Sequence, residues 1–300
     1  MIIEALAPSR ISLFGGGSDT SYYAENFGGL CLNMAINLRH RIVLGREQKL
    51  TSADNPDFFK AFTDQPILHE YTSDIESGLG SSAALAVALV GALARQKGEK
   101  LIPDEIAEKA WDVEVNKLKL FGGKQDQYAS VFGGINVMEF NKEVKVTPLS
   151  RDFADKIVPY LVLFHTGITR KSPKIQEGLK VLDDSQVFHL TMIKNMAVQG
   201  IEAIAKGDVN QVAELMKQAW ESKKASNKGV TNEEIDRIYA DGLEAGALAG
   251  KLLGSGGGGH ILFIVAPEKK QGFVDEMVKK GLKWIDFSIS WDGLETRVIG

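Results

Sequence analysis

The chain has 300 residues, 44% of them hydrophobic and 25% charged, and a formal net charge of −4. Such a composition belongs to a folded globular protein with a sizeable core, and it excludes a disordered chain and a broadly basic nucleic-acid binder. Cys31 is the single cysteine, which excludes an intramolecular disulfide and a thiolate zinc site, and His40, His69, His165, His189 and His260 form no helically spaced metal pair.

The opening residues carry no basic segment leading into an apolar stretch and a cleavage site. The longest apolar run, 83–94, is twelve residues and too short to cross a bilayer. A cytoplasmic protein with neither membrane nor nucleic-acid partner is the expectation.

In chain order, apolar runs between glycine-rich turns predict strands at 2–7, 11–14, 30–36, 41–45 and 135–140. Residues 82–95 are apolar all round and predict a helix buried on every face. Pro103, followed by acidic residues, opens a predicted helix over 103–117. The second half predicts a strand at 160–165 and helices at 186–205, 209–224 and 232–240. A strand–helix–strand run at 260–266, 269–281 and 283–290 closes the chain. The polar stretch 151–159 divides it into domains at 1–155 and 156–300. Lys223-Lys224 and Lys279-Lys280 fall on predicted helices and read as solvated faces.

Gly78-Leu79-Gly80-Ser81-Ser82-Ala83-Ala84 is the most informative segment. Glycines let backbone approach a ligand, and the amides of a helix start have no internal acceptor. With the positive end of the helix dipole they form an anion site. A plain helix cap by Ser81 and Ser82 is the alternative. A second hydroxyl beyond a cap's need, and a helix with no polar face, favour a nucleotide phosphate with Mg²⁺. No Lys-Ser/Thr follows the glycines, so the loop is not of the Walker A type. Phe14-Gly15-Gly16-Gly17-Ser18-Asp19-Thr20 follows a strand, and Ser255-Gly256-Gly257-Gly258-Gly259-His260 precedes one, an order that rejects a dinucleotide fold.

Residues 7–19, 78–84 and 251–259, read in order, resemble the three motifs of the GHMP kinases (galactokinase, homoserine kinase, mevalonate kinase and phosphomevalonate kinase), and the resemblance spans nearly the whole chain. Residues 121–129, Phe-Gly-Gly-Lys-Gln-Asp-Gln-Tyr-Ala, and the Phe14-Gly15-Gly16-Gly17 variant are similar to the D-glycero-D-manno-heptose 7-phosphate kinase group of sugar 1-kinases. The resemblance implies a two-domain α/β (α+β) fold, with an N-terminal ribosomal-protein-S5-like domain and a C-terminal ferredoxin-like domain. It implies ATP with Mg²⁺, and a sugar or sugar phosphate as acceptor. The ATP phosphates would lie on Gly78, Leu79, Gly80, Ser81, Ser82 and Ala83, in a loop braced by the segment 254–259 with its Gly256, Gly257 and Gly258. A homodimer is left open.

The same resemblance gives roles. Asp126 matches the position that accepts the proton of the anomeric hydroxyl as its oxygen attacks the γ-phosphorus; it reads equally as a helix cap. Arg10 matches the cation that steadies base and developing charge, against a surface ion pair. Glu114 with Ser82 is the Mg²⁺ pair. The spacing from Glu114 to Asp126 departs from the family pattern by about one residue, which leaves a solvated helix face open. Asp19, with Gly17, Ser18 and Gly123, matches a sugar-hydroxyl site, though Asp19 also suits a short helix cap. Gly16-Gly17 stands where galactokinases carry Glu-His, against a galactose site. Thr166, Gly167, Arg170 and Lys171 gather hydroxyls and cations suited to a substrate phosphate, or form an ordinary basic loop. The competing readings are an anomeric kinase of a hexose, pentose or acetamido sugar, a non-catalytic sugar and nucleotide sensor, and an isoprenoid-type decarboxylase.

Overall fold

The computed structural model describes residues 1–45, 56–72, 78–168, 182–227 and 229–300. The first half runs β1 (Ile3–Phe14), α1 (Ser21–Phe27), β2 (Gly29–Leu44), α2 (Pro56–Lys60), β3 (Ile67–Tyr71), α3 (Ser81–Lys97) and α4 (Pro103–Asp112). A π-helical turn (Val113–Lys117) extends α4, and α5 (Gln125–Phe132), β4 (Ile135–Phe140), β5 (Val144–Pro148) and α6 (Arg151–Asp155) follow. The second half runs β6 (Leu161–His165), α7 (Asp184–Lys206), α8 (Val209–Ser226), α9 (Glu233–Glu244), β7 (Ala249–Leu252), β8 (His260–Ile264), α10 (Lys270–Lys279), β9 (Lys283–Ile285) and β10 (Glu295–Val298).

Two antiparallel sheets result. The first has the order β10-β1-β2-β4-β5, with β3 also on β2; the second is β7-β8-β6-β9. This is the two-domain architecture expected. A boundary at 155/156 leaves the chain's end on the wrong side, however, because β10 returns to pair with β1. The strand predicted over 283–290 stops at Ile285: beyond it Ile289 bridges Ile36 and the Ser290 amide donates to Ala35, so these residues join the first sheet. Among the described residues no helix is long and apolar enough to cross a membrane.

One core lies between the first sheet and α3, α4 and α5, and a second between the opposite face of that sheet, α7, α8 and the second sheet. The runs expected as separate strands at 2–7 and 11–14 are one strand carrying a register shift between Pro8 and Ser9. The shift reverses the alternation. Ile3, Ala5 and Ala7 face the helices, whereas Ile11 and Leu13 face the other core. The polar Arg10 and Ser12 are thereby turned to the helix side, as a bulge beside a functional site commonly does. Helix α3 is rich in alanine and buried along most of its length, so it can lie close against β1 and β2.

Candidate active site

The amino ends of α3 and α5 converge on one cleft of about 360 Å³, bounded by β1, the π-helical turn, α7, α8 and the glycine-rich segment after β7. Gly78, Gly80, Ser81, Ser82 and Ala83 line it. Gly80 caps α3 in the left-handed conformation (φ 69°), no side chain caps the helix, and its first turn holds no acidic residue. Its unpaired amides and dipole are therefore presented to the cleft, an arrangement that fits phosphate. Neither serine is the cap that the sequence allowed. Ser81 Oγ lies 2.7 Å from His40 Nε2, and Ser82 Oγ donates to the Glu114 carboxylate. Leu79 is fully buried and contributes its carbonyl, which accepts from the Arg10 amide at 2.8 Å.

Arg10 and Asp126 meet across the cleft floor. Arg10 Nε donates to Asp126 Oδ1 and Nη2 to Oδ2, each at 2.7 Å, while Nη1 donates to the Gly78 carbonyl at 3.0 Å. Arg10 is 4% exposed, so the surface-pair reading fails. Asp126 sits inside the first turn of α5 and makes no cap, because Lys124 holds the cap position. A carboxylate has about four acceptor sites, and Arg10 occupies two. The Asp126 side chain is 27% exposed, which leaves the others to the cleft.

Glu114 is no solvated residue: it is 6% exposed and accepts from Gln127 Nε2 at 2.7 Å as well as from Ser82. Burial pushes its pKa up to about 7, against the two hydrogen bonds and with the help of the Asp126 charge. A desolvated carboxylate beside a hydroxyl is a hard-oxygen pair that suits Mg²⁺, which takes one or two carboxylates plus phosphate oxygens. Among the described residues no cluster of three or more His, Cys, Asp and Glu forms a metal cage. Glu114 lies in the π-helical turn.

Asp19 is 4% exposed and bonds to α5 rather than capping α1: Oδ1 accepts from Gln125 Nε2 at 3.0 Å and from the Gly17 amide at 2.9 Å. Burial raises its pKa, and the Asp126 charge adds to the rise. Gly123 packs so closely on Asp19 that a Cβ there would fall 1.9 Å from Oδ2. Ser12 Oγ and Gln125 Oε1 are buried beside them without a hydrogen-bond partner, and both residues line the cleft. A polyhydroxylated ligand would satisfy them.

Several expected residues lie elsewhere. Ser18 is fully buried, with its hydroxyl donating to the Gly15 and Leu30 carbonyls, and belongs to the turn rather than the cleft. Thr166 is buried with its hydroxyl donating to the Gly259 carbonyl and so supports the glycine-rich segment, whereas the Gly167 amide donates to His165 Nδ1 beside it. Arg170 and Lys171 lie outside the described residues. Gly256 abuts Val230 and Gly258 abuts Ile168, while the Gly257 amide donates to Val230. Within the 254–259 segment it is Gly254 that packs on the loop at 78–82: a Cβ there would come within 2.7 Å of Gly78 Cα.

Two further cations, Lys223 and Lys251, line the cleft. Lys223, read as part of a solvated face, turns inward and donates to the Gly254 carbonyl at 2.6 Å. Burial, and then the Arg10 charge, brings its pKa down to about 8. Lys251 donates to the Ser12 and Leu13 carbonyls, each at 3.0 Å, tying β7 to β1; burial and then Lys223 bring its pKa down to about 7. An inward lysine is legible only from which face of α8 is buried. The run Val212, Ala213, Leu215, Met216, Ala219, Trp220 offers that signal, since Lys223 lies three residues past Trp220.

Comparison with known proteins places this site in a family. The model of the GHMP kinases N terminal domain matches residues 57–134, and that of the GHMP kinases C terminal matches 201–283. The chain is 33% identical, over 98% of its own length and 98% of the relative's, to a D-glycero-alpha-D-manno-heptose 7-phosphate kinase of Campylobacter jejuni. It superposes on the crystal structure of a D-glycero-D-manno-heptose 1-phosphate kinase of Bacteroides thetaiotaomicron with TM-score 0.79, 28% identity and 99% of each chain covered. A Lactococcus lactis galactokinase complexed with galactose gives TM-score 0.77 at 17% identity, covering 98% of this chain and 95% of that one, a likeness of fold alone.

Proposed function

Because the chain belongs to the GHMP kinase family, we propose that it transfers the γ-phosphoryl group of ATP to the anomeric C1 hydroxyl of a heptose phosphate, D-glycero-D-manno-heptose 7-phosphate giving the 1,7-bisphosphate. The observation that carries this reading is the Arg10–Asp126 pair at the amino end of α3. The sugar oxygen attacks the γ-phosphorus, forming one P–O bond as the bond to ADP breaks, and its proton passes to a free lone pair of Asp126. Arg10 stays cationic throughout and stabilises the charge that develops. The amides of α3 hold the phosphates. Ser82 and Glu114 would hold Mg²⁺, which would neutralise charge on the phosphate oxygens.

The sugar fills the end of the cleft at Asp19, Gly16, Gly17 and Gly123, where Ser12 Oγ and Gln125 Oε1 await partners. The two heptose kinases above are named for different phosphate positions. The test is therefore positional: incubation with ATP, Mg²⁺ and a panel of heptose 7-phosphate, free heptose and hexoses, with the new phosphate located by phosphorus NMR. A phosphate at C1 of the ester is expected. Equal use of the free sugars would transfer the reading to another anomeric kinase, and ATP binding without any phosphorylated sugar would leave a sensor.

A further inference from the structure

Behind the phosphate loop runs a row of buried side chains that the reading above does not use. His40 on β2 is 1% exposed and His69 on β3 5% exposed. His40 Nδ1 lies 2.9 Å from His69 Nε2, and His40 Nε2 lies 2.7 Å from Ser81 Oγ at the start of α3. Tyr71 stacks on the His40 ring at 4.0 Å and 12°, and its hydroxyl reaches Ser9 Oγ at 3.1 Å. The imidazole is thus held in one plane, with its two nitrogens assigned to two neighbours.

Each of the two contacts holds a single hydrogen when His40 is neutral, and burial, then His69, keeps its pKa well below the ordinary value. The row has two polarities. In one, His69 Nε2–H donates to His40 Nδ1 and His40 Nε2–H donates to Ser81 Oγ, leaving the Ser81 hydrogen free to point into the cleft. In the other every hydrogen is reversed, and Ser81 turns only lone pairs to the cleft. A phosphate oxygen accepts from the first and repels the second.

We propose that His40 and His69 are positioning residues that set the direction of the Ser81 hydroxyl, and that an anionic phosphate at the amino end of α3 holds the row in its donor polarity. The inference rests on the reading of residues 78–82 as a nucleotide phosphate site. Ser81 then contributes a hydrogen bond to the nucleotide whose hydrogen is oriented before binding.

The test is the tautomer of His40, read from imidazole nitrogen shifts in histidine-labelled protein with and without a non-hydrolysable ATP analogue and Mg²⁺. Binding is followed calorimetrically on the same samples, and the His40 signals are assigned by their loss in His40→Gln. In the complex, His40 is expected to carry its hydrogen on Nε2. A bound complex with the hydrogen on Nδ1 overturns the inference alone, whereas failure of the analogue to bind overturns the phosphate-site reading beneath it. Kinetics give a second readout. His40→Leu should raise KM for ATP about tenfold, the size of one charge-assisted hydrogen bond. His40→Gln, whose amide nitrogen stands near the Nε2 position, should recover most of that loss, and His40→Leu should add nothing to Ser81→Ala. Equal KM for ATP in the Leu and Gln variants would make the pair merely structural.

Discussion

The Arg10 guanidinium holds both carboxylate oxygens of Asp126 at 2.7 Å, and Gly80 packs tightly above them in the left-handed conformation (φ 69°): a Cβ there would lie 3.2 Å from Asp126 Oδ2 and 3.3 Å from Arg10 Cγ. Asp126, Arg10 and the loop at 78–82 are therefore one packed unit. Asp126→Ala should lower kcat about 10²–10⁴-fold, the range for loss of a positioned general base. Arg10→Lys keeps the charge but not the two-point grip, so it should fall between wild type and Arg10→Ala. Asp126→Ala also strands a cation that is 4% exposed, and it should cost roughly 3 kcal/mol in denaturant unfolding, partly restored by adding Arg10→Met. An Asp126→Ala enzyme with unchanged kcat would remove the base from the mechanism.

The pKa of Glu114, raised from 4.5 to about 7, makes unliganded stability depend on pH. Between these values the unfolded chain has lost the proton and the folded chain keeps it, so stability falls as pH rises through this window and levels off above it. About 3 kcal/mol is at stake for this group alone. Melting of wild type and Glu114→Gln in metal-free buffer from pH 4.5 to 8 isolates it. The wild type should lose more stability across the window than the variant, and the two should run parallel above pH 7. Parallel curves throughout would mean that Glu114 is ionised in the folded protein.

Much of this site could be read from the chain because its chemistry is local. The bend at 78–82, Arg10 between apolar runs and Asp126 after two glycines each carry their meaning within a few residues. What stayed hidden depends on facing. The shift between Pro8 and Ser9 decides which side of β1 Arg10 occupies, and Ser18, next to Asp19, points into backbone instead of cleft. Lys223 and Lys224 are neighbours, yet the first enters the cleft and the second pairs with Glu221 on the surface. His40 and His69 are 29 residues apart and meet only because β2 and β3 pair.

Gly16 tests the proposed sugar end of the cleft without straining the backbone, since its φ lies outside the left-handed region that Gly15 and Gly17 occupy. A Cβ there would stand 2.9 Å from Ser12 Oγ and 3.4 Å from Gln125 Nε2, and the serine can rotate away. Gly16→Ala should therefore fold normally, fill space meant for the sugar and raise KM for the sugar at least about tenfold, with KM for ATP unchanged, as expected when binding common to ground and transition states is removed. Gly123→Ala is the contrast, because its Cβ would meet Asp19 Oδ2 at 1.9 Å and displace the carboxylate itself. An unchanged sugar KM in Gly16→Ala would place the acceptor elsewhere.

Gly254 and Gly256 form a matched pair for testing what braces the phosphate loop. Both have positive φ, 69° and 98°, so alanine at either should cost roughly 1–3 kcal/mol of stability. Their neighbours differ. At Gly254 the new Cβ presses on Gly78 Cα at 2.7 Å, and the Gly254 carbonyl is the one that Lys223 holds; at Gly256 it presses on Val230 Cα at 2.6 Å. Gly254→Ala must move Gly78, whose carbonyl also receives Arg10 Nη1. It should therefore raise KM for ATP and lower kcat together, each about tenfold or more, as a displacement of about 1 Å at a reacting centre can do. Gly256→Ala should lose similar thermal stability with little change in either constant. Comparing the two at a temperature well below both transitions separates loop geometry from global stability, and equal kinetic losses would mean that the whole glycine segment, rather than Gly254, supports the loop.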